Sequence, residues 1–106
     1  MNFEQLVKKA IEIRVKYSKL ERKKFGKEWS KEHVAQGLVG DVGDLMKLVM
    51  AKEGIRKIDD VDKKLAHELS DCLWAILVLA NEYKVDLESS FLQTMDELEK
   101  KIDSEI

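Results

Sequence analysis

An all-α fold is predicted by three features of the sequence: no proline over 106 residues, apolar residues repeating at three- and four-residue steps, and one segment that is apolar on every side. The expected architecture is a four-helix bundle-like monomer completed by homo-oligomerisation. Average usage would place roughly five prolines in such a length, so long uninterrupted helices are favoured over an extended β-sandwich. Residues 1–106 read as a single domain, because no repeat, low-complexity tract or flexible linker divides them.

The first predicted helix runs from about Phe3 to Lys24 behind an Asn2 cap, with Phe3, Leu6, Val7, Ala10, Ile13, Tyr17 and Leu20 on one stripe, and Gly26 ends it. The second starts after Ser30, a good N-cap, and continues to Glu53, where Gly54 supplies the left-handed residue that helix ends favour. Its main apolar stripe is Ala35, Leu38, Val42, Leu45 and Val49. The link from Ile55 to Asp60 leads to a third helix, about Val61 to Tyr83, whose core stripe reads Leu65, Leu69, Cys72, Ile76, Leu79 and Tyr83. Lys84 and Val85 form the next break. Asp86 then caps a fourth helix that repeats Leu87, Phe91, Met95, Leu98 and Ile102.

The stretch from Leu73 to Ala80 is apolar all round, and a helix of that kind must be covered all round. Three neighbours in a small chain hardly suffice, so a second copy is expected to bury part of the third helix in a dimer or tetramer. The longest wholly apolar run, Cys72 to Ala80, has nine residues where a membrane span needs about 20, so no membrane segment is expected. Met1 to Gln5 lacks the character of a secretory leader, and a cytoplasmic location is expected. Cys72, the single cysteine, reads as a small core hydrophobe.

Charge is unevenly placed: residues 1–31 hold ten Lys/Arg against four Asp/Glu, and the remainder is acidic, for a net charge of −2. Overall acidity argues against a nucleic-acid binder, which needs a clustered basic face.

The second helix contains Gly37-Leu38-Val39-Gly40-Asp41-Val42-Gly43-Asp44. Each helical glycine costs about 1 kcal/mol relative to alanine, so three of them call for an offset. Asp41, Asp44, Gly37 and Gly40 share a strip with His33, where missing side chains would let a ligand or another backbone approach. The third helix presents a second carboxylate pair, Glu68 and Asp71, at the mouth of its apolar stretch. Facing pairs would crowd four negative charges, which is unfavourable unless protons or cations compensate. Carboxylate-only coordination suits Mg²⁺, with Mn²⁺ as an alternative, and both bind phosphates through open positions.

These residues, Gly37 to Leu45 and then Glu68-Leu69-Ser70-Asp71-Cys72-Leu73-Trp74, resemble the all-α nucleoside triphosphate pyrophosphohydrolases of the MazG-like type. That family carries Glu-x-x-Glu on one helix and Glu-x-x-Asp on the next. The resemblance covers roughly residues 25–100 and implies Mg²⁺ held by Asp41, Asp44, Glu68 and Asp71, with hydrolysis of a nucleoside triphosphate to monophosphate and pyrophosphate. Both first-motif glutamates are aspartates here, one methylene shorter, so an altered preference is expected. Many relatives also carry a Lys/Asn/Arg group on the last helix, and Lys101 is the phosphate candidate in this chain.

Asp41 and Asp44 are the catalytic candidates, one of them orienting or deprotonating the attacking water. Trp29 and Trp74 offer faces for a nucleobase, and His33 is placed to touch a phosphate or base. Lys47, Lys52 and Arg56 are candidates to steady the leaving pyrophosphate. No Gly-x-x-x-x-Gly-Lys-Ser/Thr loop, zinc-peptidase helix or Glu-x-x-His pair is present. The competing reading is a non-catalytic helical interaction or regulatory module. Within enzymes it is a phosphoribosyl-ATP pyrophosphohydrolase.

Overall fold

The computed structural model describes residues 1–106 and contains four helices, α1 (Phe3–Phe25), α2 (Lys31–Lys52), α3 (Val61–Glu82) and α4 (Leu87–Glu105), with no strand. The punctuation seen in the sequence sets their ends. Asn2 and Ser30 form capping boxes with Gln5 and His33, and the Asp86 side chain accepts from the Ser89 amide. Gly26 and Gly54 take left-handed conformations at φ 77° and 79°. After α3 the same role falls to Lys84 at φ 57°, where the Val85 amide closes back on the Ala80 carbonyl at 2.8 Å.

Helices α2 and α3 form the main packed pair, and α1 packs on α3. The pair is antiparallel: Lys52 meets Asp62 at 2.6 Å at one end, and Val34 packs with Ala75 and Val78 at the other. Ile11, Leu38, Trp74 and Leu79 close over that small core. The Trp74 indole donates to the Ala10 carbonyl at 3.1 Å and so ties α3 to α1.

The seam between α2 and α3 differs from the stripes that periodicity favours. Its inward residues are Val34, Leu38, Asp41, Leu45 and Leu48 on α2, and Leu65, Glu68, Cys72, Ala75 and Leu79 on α3. Val42 and Val49, expected inside, are exposed, as are Leu69, Ile76 and Tyr83. Both helices are apolar on more than one side, so spacing alone could not choose the packed face. The observed choice puts one carboxylate of each pair into the seam. The fourth helix buries no residue, and its Phe91, Met95, Leu98 and Ile102 face outward.

An ion pair not anticipated from the sequence fastens the turn between α1 and α2. Arg14 and Glu21, 8% and 6% exposed, form a two-pronged contact at 3.1 and 3.3 Å. Arg14 also donates to the Trp29 carbonyl at 2.9 Å, and the Trp29 amide donates to Glu21 at 2.8 Å. Burial alone would raise the Glu21 pKa, but the Arg14 and Trp29 hydrogen bonds and the Arg14 charge hold it below the ordinary value. Arg14 and Glu21 lie about two turns apart on one face of α1, so together they make one socket for the Trp29 backbone.

Removing one partner of a buried pair strands the other and typically costs about 3–5 kcal/mol. Glu21→Ala is therefore expected to lower unfolding free energy by that order in chemical denaturation. The Arg14→Met/Glu21→Met double variant should lose much less than the two single losses added, and strict additivity would show that the two charges do not act as a unit.

Candidate metal centre and its adjoining cavities

Antiparallel packing brings the two acidic motifs to the same height on the seam. Asp41, Asp44 and Glu68 each offer a carboxylate oxygen, and these atoms lie within 4.8 Å of one another. Asp71 stands beside this triad, with its Oδ2 atom 3.1 Å from Nε2 of His67. The Asp44 side chain is exposed and has Lys47 at 3.9 Å, whereas Asp41 and Glu68 are half-buried.

The electrostatics are strained. Burial first, then the charges of Asp41, Asp44 and Asp71, push the Glu68 carboxyl above its usual range, with His67 opposing. Burial, then Asp71 and Asp44, do the same to Asp41. Burial and the neighbouring carboxylates also raise the Cys72 thiol, which keeps it protonated and inert. Oε2 of Glu68 is buried without a hydrogen-bond partner. A buried carboxylate oxygen left unpaired is costly, and this one belongs to a residue of the acidic triad. Three hard oxygen donors at this spacing fit a hard divalent cation.

Two cavities flank the centre along the seam. The first, about 650 Å³, lies between α1, α2 and α3 and reaches Asp41 and Asp71. Tyr17, Phe25, Trp29, His33 and Trp74 give it an aromatic lining, and Arg14 and Glu21 also contribute to its wall. Trp74 packs at a tilt on Tyr17 with ring centroids 5.8 Å apart, and Trp29 on His33 at 6.0 Å. The second, about 480 Å³, reaches Asp44 and Glu68 and is lined by Lys47, Lys63, Lys64 and His67, with Leu48 and Ile58 its only apolar residues.

Of the residues singled out in the sequence, Asp41, Asp44 and Glu68 converge and Asp71 adjoins them, while Trp29, His33 and Trp74 line the aromatic cavity. Gly37 lines it too, and a Cβ there would meet nothing within 4 Å. No backbone closes on Gly40 or Gly43 either, so these glycines leave open surface within one chain. Lys101, on the exposed α4, lines neither cavity, and Lys52 is drawn to Asp62. Sequence reasoning missed Tyr17 as a wall of the cavity, because its spacing also suits a core stripe. It missed Lys63 and Lys64 because nothing local separates them from other surface lysines.

The family model of the MazG nucleotide pyrophosphohydrolase domain matches residues 30–104, which include both acidic motifs. No significant match was found to a curated protein or to a solved structure.

The raised carboxyls make a prediction about the metal-free protein. A carboxyl that titrates higher folded than unfolded contributes stability below its ordinary range and loses it as pH rises through the raised value. Acidifying from neutrality into that range should therefore raise the metal-free Tm, and Glu68→Gln should raise it at pH 7 while reducing the gain on acidification. Each 1 kcal/mol recovered corresponds to roughly 4–8 °C. Excess Mg²⁺ should stabilise the parent chain and leave Glu68→Gln nearly unmoved. Scanning calorimetry checks all three, and equal response of the two proteins to Mg²⁺ would remove Glu68 from the centre.

Proposed function

The chain belongs to the MazG nucleotide pyrophosphohydrolase family, and from that membership we propose that it hydrolyses a nucleoside triphosphate to nucleoside monophosphate and pyrophosphate in the cytoplasm, with Mg²⁺ or Mn²⁺ as cofactor. The observation that carries this reading is the meeting of Asp41, Asp44 and Glu68 beside an aromatic cavity wide enough for a nucleoside. Those three residues would hold the cation, with Asp71 completing the acidic set and His67 fixing its carboxylate. A hard dication bound there supplies positive charge against the triphosphate oxygens.

The chain's own groups do the rest. Trp29, half-exposed, presents its face to the base, while Trp74 has its N–H engaged with Ala10 and serves as a fixed wall. His33 borders the phosphate or base. The Asp41–Asp44 pair orients a water and takes its proton. The water oxygen joins the α-phosphorus, the bond from that phosphorus to the α–β bridging oxygen breaks, and that oxygen departs with pyrophosphate.

We also assign a homo-oligomer. Val39, Val42 and Met46 on α2 and Leu69, Leu73 and Ile76 on α3 are all exposed, and α4 adds an apolar stripe that touches little of its own chain. Such surface on a small chain calls for cover. A substrate contact by Lys101 is proposed within that assembly.

A panel of nucleoside triphosphates and phosphoribosyl-ATP, incubated with Mg²⁺ and scored for pyrophosphate, tests the activity. Asp44→Ala is expected to lower turnover by about 10²–10⁴-fold, the usual contribution of a general base. Release of phosphate in place of pyrophosphate would contradict the proposed bond cleavage, and no turnover of any nucleotide would favour the interaction-module reading. Sedimentation equilibrium should give a mass at least twice that of the chain, falling towards one chain on Leu73→Glu. A monomeric parent protein would refute the assembly.

A further inference from the structure

Lys63 and Lys64, which line the second cavity, take no part in the chemistry above, yet that cavity opens from the same acidic centre as the aromatic one. We propose that it is a diphosphate subsite, receiving the β- and γ-phosphates of the substrate and retaining pyrophosphate after cleavage. The inference rests on the pyrophosphohydrolase reading and adds to it a direction in which the nucleotide lies.

The geometry of the seam sets that direction. The aromatic cavity is reached through Asp41 and Asp71, the basic one through Asp44 and Glu68, and His67 to Asp71 links the two rims. Lys47 lies six residues beyond Asp41 on α2, about 9 Å along the axis, and Lys64 lies four residues before Glu68 on α3, about 6 Å. Consecutive phosphates of a polyphosphate are spaced well within these lengths. A nucleoside at the aromatic end therefore sends its phosphates over the carboxylates and onto the lysines.

Charge supports the same assignment. Neither Lys63 nor Lys64 takes part in an ion pair, and Lys47 only leans on Asp44 at 3.9 Å. When Asp44 and Glu68 are engaged by a dication, Lys47 loses that partner. The wall then holds three lysines against Asp60 as the remaining carboxylate. A lysine is a compact charge with three donors, suited to phosphate oxygens. With no aromatic residue but His67 and only two apolar ones, the cavity does not suit a base.

The test is calorimetric titration of the full chain with inorganic pyrophosphate and, separately, with a nucleoside monophosphate, each in Mg²⁺, for the parent and for Lys63→Gln/Lys64→Gln and Lys47→Gln. These are exposed positions, and unchanged circular dichroism confirms folding. The expected result is weaker pyrophosphate binding by about tenfold per lysine lost, with monophosphate affinity held within about twofold and KM for the triphosphate raised. Unchanged pyrophosphate affinity in both variants would overturn the subsite. An equal loss for monophosphate would also overturn it, by showing only a general field. Absence of pyrophosphate binding by the parent would do the same. Failure of the parent to release pyrophosphate from any triphosphate is read separately and bears on the function itself.

Discussion

Crowded negative charge at the α2–α3 seam is the constraint on which the rest of the molecule turns. A helix pair this apolar has easy ways to pack that would leave Asp41 and Glu68 in solvent. The chain instead buries one carboxylate from each motif, leaves Glu68 Oε2 without a partner, and pushes both carboxyls upward. Folding energy from Val34, Ala75 and Val78 holds the groups together. The acidic cluster is thus held together at a cost to folding stability, a relation expected of a functional site and its scaffold.

The surroundings make sense around that point. Aromatic side chains gather on the side of Asp41, and lysines gather on the side of Asp44. A nucleotide has the same polarity, with a flat apolar base at one end and concentrated anionic oxygen at the other. The bond proposed to break lies between those two ends, in keeping with the chain's MazG nucleotide pyrophosphohydrolase family.

Much of this was legible in the sequence. Caps and breaks at Asn2, Gly26, Ser30, Gly54, Lys84 and Asp86 fell where local chemistry places them, because capping depends on a few adjacent residues. The carboxylate pairs stood out for the same reason. Which face of α2 meets α3 was not legible: Val42 and Val49 fit an apolar stripe as well as Val34 and Leu48 do, and only the partner helix decides. Nor was the Arg14–Glu21 pair visible, since a spacing of seven residues between opposite charges is common on solvated helices. Its purpose depends on Trp29, which the chain brings there only after turning at Gly26.

The aromatic cavity draws one of its walls from α1, which precedes the residues 30–104 matched by the family model, whereas every carboxylate of the centre lies within them. In the proposed reading, α1 adds Tyr17 and Phe25 to a cavity whose base-facing residues, Trp29, His33 and Trp74, come from α2, α3 and the turn before α2. Tyr17 and Phe25 shape that cavity and contribute no oxygen to the acidic cluster. Under the proposed function, α1 is a wall that can change its side chains while the acidic cluster on the other two helices stays as it is.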